Sequence, residues 1–404
     1  TARKDCTVTP IHLAHHTVSC CAGDGLEALR LALRNGTSGL RPYRIEGLGT
    51  DTWIGEVHGL DDTPLPAPQA GFDCRNNRLA RRGLAADGFE DAIRRRIAHH
   101  GPRRVGVVLG TSTSGILSTE LAYRQRASEG GLLPSSLNYR GSHSTYSLAD
   151  FVRTWLAIEG PAYVVSTACS SSAKAYAAAA RLIHAGLIDA ALVGGVDSLC
   201  FTTLHGFASL ELTSPEPCRP YDAARSGISI GEAAAFAFLE RPADSLDADA
   251  VLLLGCGESS DAYHMSSPHP EGLGARLAME GALAQAGLDT ADIDYINLHG
   301  TATPNNDSAE GHAVASLFGT RVAASSTKGV TGHTLGAAGA LEISISAVAL
   351  AEGLLPGSVH TRKLDPSIPI DYVLASRGAP LNRAMSNSFG FGGSNCSVII
   401  GRAG

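Results

Sequence analysis

The chain has 404 residues, of which 44% are hydrophobic and 18% are charged. This composition supports a large buried core and excludes global disorder. The net charge of −7 is a poor match for nucleic acid, so we expect no nucleic-acid partner. The length predicts two or three ordinary domains, or one large duplicated domain.

Nine cysteines occur, and no two of them form a Cys-x-x-Cys pair. Neither a zinc ribbon nor a thioredoxin-type site is therefore indicated, and we expect reduced thiols in the cytoplasm, the predicted compartment. The first residues contain no apolar segment typical of a signal peptide. The longest apolar run, residues 343–355, carries Glu352 and is shorter than the ~20 residues that a membrane span needs. We predict a core helix there and no membrane span.

Apolar, β-branched runs alternate along the chain with longer stretches of helical pattern. The predicted strands lie at residues 105–109, 163–166, 190–193, 234–239, 251–254, 295–298, 322–325 and 396–400. The predicted helices lie at residues 25–34, 89–99, 171–185, 274–286, 308–317 and 337–352. This alternation predicts an α/β fold whose sheets are covered by helices on both faces. A polar stretch at residues 240–249 predicts a boundary between two halves, residues 1–250 and 251–404.

The start of the chain is rich in histidine and cysteine. His12, His15 and His16 precede Cys20 and Cys21. These residue types can ligate a metal, but no tetrahedral ligand spacing follows them. We therefore predict that the chain holds no metal.

A reactive cysteine is predicted at Cys169, within the sequence Ser-Thr-Ala-Cys-Ser-Ser-Ser. A buried strand precedes this cysteine and a helix of Ala and Ser follows it, so the thiol lies at or near a helix N-terminus. The peptide dipoles there favour the thiolate and predict a lowered thiol pKa. A small buried residue that only packs is the alternative, but the small neighbours leave the sulfur accessible and favour a nucleophile.

Two histidines follow strands in glycine-containing turns. His299 ends a strand before Gly-Thr-Ala-Thr-Pro, where a ring N–H can point into a cavity, although His299 alone fits a structural role as well. His333 lies five residues after Lys328, in a Gly-rich turn before an apolar helix. A buried lysine needs an acidic partner, and Asp307 or Glu310 is the predicted one.

A second Gly-rich turn, Asn-Ser-Phe-Gly-Phe-Gly-Gly-Ser-Asn at residues 387–395, precedes the last predicted strand. Its backbone N–H groups can stabilise an oxyanion, and a plain hairpin turn is the alternative. The spacing that a dinucleotide-binding loop requires is absent.

Together these segments resemble one enzyme family. The order of Ser-Thr-Ala-Cys-Ser-Ser, His-Gly-Thr-x-Thr, Lys-x-x-x-Gly-His and Gly-Phe-Gly-Gly-Ser-Asn resembles the β-ketoacyl-acyl-carrier-protein synthases, from residue 105 to the C-terminus. The resemblance implies the thiolase fold, in which two similar halves build five layers, α-β-α-β-α, and it implies a dimer. It also implies decarboxylative condensation of a malonyl unit with an acyl chain, which yields a 3-oxoacyl product two carbons longer.

The same resemblance implies roles for individual residues. Cys169 takes the acyl chain from the phosphopantetheine of an acyl carrier protein, and no other cofactor is expected. The backbone N–H groups of Cys169 and Phe391 form an oxyanion hole. His299 and His333 stabilise the enolate that forms as carbon dioxide leaves, and two histidines fit the elongating members of the family. The remaining implied residues are Phe389 with Phe391 as gate, Thr301 and Thr303 as pantetheine contacts, and Lys328, Asp307 and Glu310 as supports of the histidines.

Departures from the family pattern leave pathway and substrate open, but not the reaction. They are the histidine-rich start, the Pro-Asn-Asn-Asp sequence after His299, and Thr-Ser-Thr-Ser-Gly at residues 111–115. Fatty-acid, polyketide and aryl-polyene synthesis are all compatible with the motifs, and the partner is a second copy or a paralogue. A coenzyme-A thiolase with Cys396 as its second cysteine is one rival, but Cys396 is expected to pack inside a strand. A silent chain-length subunit is the other, and Cys169 argues against it.

Clustered arginines predict a docking surface for an acidic carrier protein, with an ordinary solvated face as an equal alternative. Such a surface mainly raises the association rate. The predicted docking residues are Arg75, Arg78, Arg81, Arg82, Arg124 and Arg126.

Overall fold

The computed structural model describes residues 7–126 and 130–404. The strands vary from two to ten residues in length. They are β1 (Ile11–Cys20), β2 (Gly23–Asp24), β3 (Arg41–Arg44), β4 (Asp51–Gly55), β5 (Val105–Gly110), β6 (Ala162–Val165), β7 (Ala190–Asp197), β8 (Ile230–Gly231), β9 (Ala233–Glu240), β10 (Val251–Ser260), β11 (Tyr295–Asn297), β12 (Ala323–Ser325), β13 (Leu354–Leu355), β14 (Asp371–Tyr372), β15 (Arg377–Gly378), β16 (Arg383–Gly390) and β17 (Ser394–Arg402).

Helices separate many of these strands, as the alternating pattern predicted. They are α1 (Gly25–Asn35), α2 (Arg75–Ala85), α3 (Phe89–His100), α4 (Ile116–Gln125), α5 (Tyr146–Leu156), α6 (Ser171–His184), α7 (Phe201–Ser209), α8 (Leu273–Ala286), α9 (Pro304–Phe318), α10 (Lys328–Thr331) and α11 (Ala338–Glu352).

Twelve strands form one mixed sheet in the order β14-β12-β11-β16-β17-β10-β1-β9-β7-β5-β6, with β2 paired to β1. Strand β1 pairs antiparallel with β9 along most of its length, and with β10 only at Ile11 and His12. Strands that precede β10 in the sequence lie on one side of this short junction, and β10 with the later strands lies on the other. The predicted halves, 1–250 and 251–404, stay a prediction, although β10 begins at Val251.

Five layers result from the packing of helices on these two parts of the sheet. Helices α2, α3 and α5 cover the outer face of the first part, and α8 with α9 covers that of the second. Helices α6 and α11 lie between the two parts, since each contacts strands from both. The predicted α/β class and the α-β-α-β-α layering of the thiolase fold are therefore confirmed.

The central layer is built from small side chains. A Cβ at Gly339 would lie 2.6 Å from the backbone N of Ala173, so α11 and α6 pack with their backbones close together. The stretch Leu335–Glu352 is long and apolar enough to cross a membrane, but 89% of it is buried inside the protein. It is the core helix that the sequence predicted.

The ends of parallel strands bring the site together. Strands β5, β6 and β7 are mutually parallel, and so are β11, β12 and β16. The segments after their carboxyl ends carry every side chain that the sequence singled out for chemistry. Strands β1 and β16, which were not predicted, are central strands of the sheet.

Candidate active site

Cys169 lies where the strand–turn–helix pattern predicted it. It follows β6 after a short turn in which Ala168 adopts a positive φ of 52°, and α6 begins two residues later at Ser171. Its side chain is 5% exposed. The thiol is therefore held at the N-terminal end of a buried helix, between the two parts of the sheet.

The two predicted histidines converge on this thiol. His299 follows β11, and His333 follows α10; each is 2% exposed. His333 Nε2 lies 3.0 Å from Cys169 Sγ. The imidazoles of His299 and His333 meet edge to face, with 5.2 Å between ring centroids. Cys169 thus forms one cluster with two histidines that lie 130 and 164 positions after it in the sequence.

Lys328 lies behind His299 and is buried. Its Nζ donates a hydrogen bond to the carbonyl oxygen of His299, lies 3.5 Å from His299 Nδ1, and forms an ion pair with Glu342 of α11. The prediction that Asp307 or Glu310 is its partner is wrong. The signal that identifies Glu342 is its position as an acidic residue inside an otherwise apolar, buried helical segment.

Glu310 and Asp307 are unavailable to Lys328 because backbone N–H groups already occupy them. Glu310 accepts hydrogen bonds from the N–H groups of His299 and Gly300, both at 2.8 Å. Asp307 accepts from the N–H of Tyr221 at 2.8 Å. Burial raises the pKa of Glu310 to about 7 in spite of these bonds. The two carboxyl groups therefore fix the loop that carries His299, which is the supporting role predicted for them.

Both imidazoles are neutral at pH 7. Burial lowers the pKa of His299 and of His333 well below the ordinary value, and the positive charge of Lys328 lowers both further. Because the Lys328 ammonium faces His299 Nδ1, that nitrogen accepts and the ring proton lies on Nε2. Each neutral ring can then offer one N–H as a hydrogen-bond donor.

The Cys169 thiol is not acidified. Burial raises its pKa to about 11, although Lys328 and the N–H of Phe391 act in the opposite direction. The predicted lowering of this pKa is therefore wrong, because removing a thiolate from water outweighs the favourable charges around it. The resting group is a thiol whose nearest base is His333.

The Gly-rich turn at residues 387–395 is a hairpin and also faces the site. Strands β16 and β17 pair antiparallel, and Phe391–Gly393 forms the connection. The backbone N–H of Phe391 points at the Cys169 sulfur. The Phe389 ring lies 6.0 Å from the His299 ring, edge on. The hairpin interpretation is therefore confirmed, and the hairpin also places an N–H beside the nucleophile, while its role toward an oxyanion stays a prediction.

A cavity of about 330 Å³ leads to Cys169. Thr301 and Thr303 line it, with their hydroxyl groups 2.9 Å apart. Sequence reasoning missed much of the rest of the wall, including Phe207, Leu212 and Asp261. None of these carried a usable signal: Asp261 directly follows β10, but the predicted strand ended at residue 254. The other residues that the sequence assigned to the site and that line this cavity are Cys169, His299, His333, Phe389 and Phe391.

The predicted docking arginines are mostly engaged within the chain. Arg75 is 8% exposed and pairs with buried Glu232, so its prediction as a docking residue is wrong. The Arg75 guanidinium neutralises the Glu232 carboxylate, which is buried in the core. The other five remain at least partly exposed, and their partners are Asp73 for Arg78, Glu90 and the Trp155 ring for Arg81, Asp24 for Arg82, Glu46 and the Phe201 ring for Arg124, and the Gly131 carbonyl oxygen for Arg126.

Cys396, the second cysteine that a thiolase would need, lies in β17 and is fully buried. It does not line the cavity, in which Cys169 is the one cysteine among the described lining residues. The expectation that Cys396 packs inside a strand is confirmed.

Two family descriptions match the chain over more than half of its length. Residues 83–245 match the β-ketoacyl synthase N-terminal domain, and residues 250–362 match the β-ketoacyl synthase C-terminal domain. The chain belongs to the β-ketoacyl synthase family. The synthase is an elongating condensing enzyme that transfers acyl groups.

Relatives of known name agree with this assignment. The synthase is 32% identical to 3-oxoacyl-[acyl-carrier-protein] synthase 2 of Vibrio cholerae, over 94% of this chain and 96% of that protein. It is 36% identical to nodulation protein E of Rhizobium meliloti, over 74% of this chain and 75% of that protein. Among solved structures, it is similar to the ketosynthase ApeO, in complex with its chain length factor ApeC, from Xenorhabdus doucetiae. That similarity has a TM-score of 0.89 and 37% identity over 98% of each chain.

Proposed function

We propose that this synthase condenses malonyl units with an acyl chain held on Cys169, and that both substrates arrive on the phosphopantetheine of an acyl carrier protein. One observation carries the proposal: a thiol and two neutral imidazoles converge at the end of one cavity. Donors placed in advance around a reacting oxygen are the largest single source of catalysis in such chemistry.

In the first step, Cys169 attacks the carbonyl carbon of the incoming acyl thioester. His333 Nε2, 3.0 Å from the sulfur, takes the thiol proton. The N–H groups of Cys169 and Phe391 stabilise the tetrahedral oxyanion. The carbon–sulfur bond to pantetheine then breaks, and the leaving thiolate takes the proton back from His333. An acyl-Cys169 thioester and a free carrier thiol result.

In the second step, the malonyl thioester loses carbon dioxide. The electron pair of the broken carbon–carbon bond forms an enolate, whose oxygen accepts hydrogen bonds from His299 Nε2–H and from His333. Once Cys169 is acylated and no longer carries a proton, the single ring proton of neutral His333 lies on Nε2 in this step, the nitrogen that faces the site. The enolate carbon attacks the acyl-Cys169 carbonyl, forming the new carbon–carbon bond and releasing the Cys169 thiolate. That thiolate takes up one proton from solvent, which balances the negative charge of the malonyl carboxylate lost in this step, and the 3-oxoacyl product leaves two carbons longer.

A carrier protein as the substrate donor is supported by two features. Several relatives are named for acyl-carrier-protein substrates, including one 41% identical over 260 residues. The cavity has an apolar side, with Phe207 and Leu212, and a hydroxyl-bearing side, with Thr301 and Thr303, which suits the amides and alkyl parts of a pantetheine arm. The five arginines that stay partly exposed are the ones that we retain as docking residues: Arg78, Arg81, Arg82, Arg124 and Arg126.

A partner subunit of the same fold is also part of the proposal. Two similar structures are ketosynthases with chain length factors, at 37% and 26% identity. In this chain β6 is the last strand of the sheet order, and its apolar side chains are only half-buried. An open strand edge of this kind is a ready pairing surface. We propose a paralogous chain as the partner, and a second copy is the alternative that the experiment separates.

The test incubates the synthase with acyl carrier protein and malonyl carrier protein and follows product mass, with and without the paralogue. We expect a 3-oxoacyl product two carbons longer, lost in Cys169→Ala. Cys396→Ala is the matched control, since it removes a buried cysteine outside the cavity and should retain the product. Cleavage of a 3-oxoacyl coenzyme A without any carrier-dependent product would overturn the proposal in favour of a thiolase. Product from the single chain alone would replace the paralogue with a second copy.

A further inference from the structure

Asp197, the last residue of β7, is fully buried and accepts an unusual number of hydrogen bonds. Three come from the hydroxyl groups of Thr111, Ser112 and Thr113, with those of Thr111 and Thr113 at 2.6 and 2.9 Å. Three come from the backbone N–H groups of Ser112, Thr113 and Gly336, at 2.8, 2.9 and 2.6 Å. The carboxylate therefore joins the segment after β5, whose sequence departs from the family pattern, to the turn that follows His333.

The attachment to Gly336 is close enough to exclude a side chain there. A Cβ at Gly336 would lie 2.8 Å from Asp197 Oδ2 and 2.9 Å from the backbone N of Ser112. Gly336 is three residues beyond His333. At the start of this segment, the backbone N–H of His333 itself donates to the Ser229 carbonyl oxygen at 2.7 Å. Asp197 therefore fixes the Gly336 end of the segment from His333 to Gly336, and the backbone hydrogen bond to Ser229 fixes the His333 end.

The His333 ring has little else to orient it. Its Nδ1 is buried and has no hydrogen-bond partner among the described residues, and its Nε2 faces Cys169. The position of the ring is therefore set by the placement of its backbone. On the other side of Asp197, a Cβ at Gly110 would lie 2.3 Å from the backbone N of Ser172, so the segment after β5 abuts the helix that carries the nucleophile.

From this geometry we infer that Asp197 is a positioning residue for His333, which holds the imidazole in register with Cys169 through the Gly336 turn. The inference rests on the proposed function, in which His333 serves both steps. A displacement of about 1 Å at such a group costs on the order of 100-fold in rate. In Asp197→Asn, one acceptor oxygen is replaced by an NH₂ group, which cannot accept from the backbone N–H groups that face it.

A buried carboxylate can also matter only for folding, so the control must be equally buried and distant from the site. Glu240 meets both conditions. It is 5% exposed and lies opposite Ala190, at the other end of the β7–β9 pair from Asp197. Glu240→Gln removes the negative charge that pairs with Arg96, so it should lower the melting temperature and leave the kinetics unchanged.

The experiment measures condensation kinetics and the imidazole resonances of ¹⁵N-histidine-labelled protein. Asp197→Asn should lower kcat 10- to 100-fold and leave KM for the acyl carrier protein within 3-fold. The resonances of His333, assigned with His333→Ala, should shift in Asp197→Asn and stay in place in Glu240→Gln. Gly336→Ala, which strains the same attachment, should reproduce both effects, and it replaces Asp197→Asn if that variant does not fold.

Unshifted His333 resonances in both Asp197→Asn and Gly336→Ala would overturn the inference. Equal losses of kcat in Asp197→Asn and Glu240→Gln would also overturn it. The resonances require no substrate. A wild-type protein without condensing activity would therefore contradict the proposed function and still leave the positioning of His333 measurable.

Discussion

Replacing Lys328 by Met tests how the buried Lys328–Glu342 pair supports the site. The two side chains are 1% and 4% exposed, so the change leaves a carboxyl group buried without its cation. Breaking a buried pair in this way costs about 3–5 kcal/mol of unfolding free energy. Burial already raises the pKa of Glu342 to about 7 with Lys328 present. Without the Lys328 ammonium, the Glu342 carboxyl group is protonated at pH 7. We therefore expect a loss of unfolding free energy at the lower end of this range, about 3 kcal/mol.

Activity should respond differently from stability. Lys328→Met combined with Glu342→Gln removes the stranded acid and should regain most of the lost free energy. Condensation should stay ~100-fold low in both variants, because His299 loses the group that fixes its ring proton on Nε2. Urea denaturation followed by circular dichroism measures the first quantity, and product mass with time measures the second.

Lys174→Met is the matched control. Lys174 lies 3.8 Å from Glu258, is 15% exposed and does not line the cavity, so its loss should cost less than about 1 kcal/mol and no activity. The reasoning is refuted if Lys328→Met is as stable as the control, or if the double variant condenses at the wild-type rate.

Two further predictions concern proton equilibria. Burial raises the pKa of Cys169 to about 11, so its rate of alkylation by iodoacetamide should still be rising at pH 9; a plateau below that pH would show that the helix N-terminus outweighs burial. Burial lowers the pKa of His16 from 6.5 to about 4. As the pH falls, the His16 imidazole is therefore protonated in the unfolded state before it is protonated in the folded state. The free energy of unfolding falls as the pH drops from 6.5 to about 4. His16→Leu should make this acid loss of stability shallower in urea denaturation, and an unchanged pH slope would contradict the assignment.

The reacting side chains could be predicted from the sequence because each stands in a short motif with its own local chemistry. Cys169, His299 and His333 lie next to small residues and glycines, which mark turns at the ends of buried strands. The residues that support them carry no such mark. The pairing of Lys328 with Glu342 and that of Asp197 with Gly336 depend on which strand ends become neighbours, and spacing along the chain does not report this.

The missed strands have a related explanation. Strand β16 is almost entirely buried, yet it contains the polar residues Ser386, Asn387 and Ser388. Its composition therefore does not predict a central strand. Strand β1 carries His12, His15 and His16, and these drew attention to metal binding instead of to the strand. Helix α2 contains four arginines and few apolar residues, so the helical pattern of its buried side, with Leu79 and Leu84, was not recognised. In each case tertiary burial overrode local composition.

The hairpin that presents Phe391 to Cys169 belongs to the last strands of the chain, and this sets an order of events during synthesis. The cysteine leaves the ribosome more than two hundred residues before the N–H that faces its sulfur. At 5–20 residues per second this interval is roughly 10 to 45 seconds. During this interval the nascent polypeptide carries the thiol without the complete set of partner groups, because His299, His333 and Phe391 follow one after another. The nucleophile therefore meets substrate as a working catalyst only after Phe391 has been synthesised.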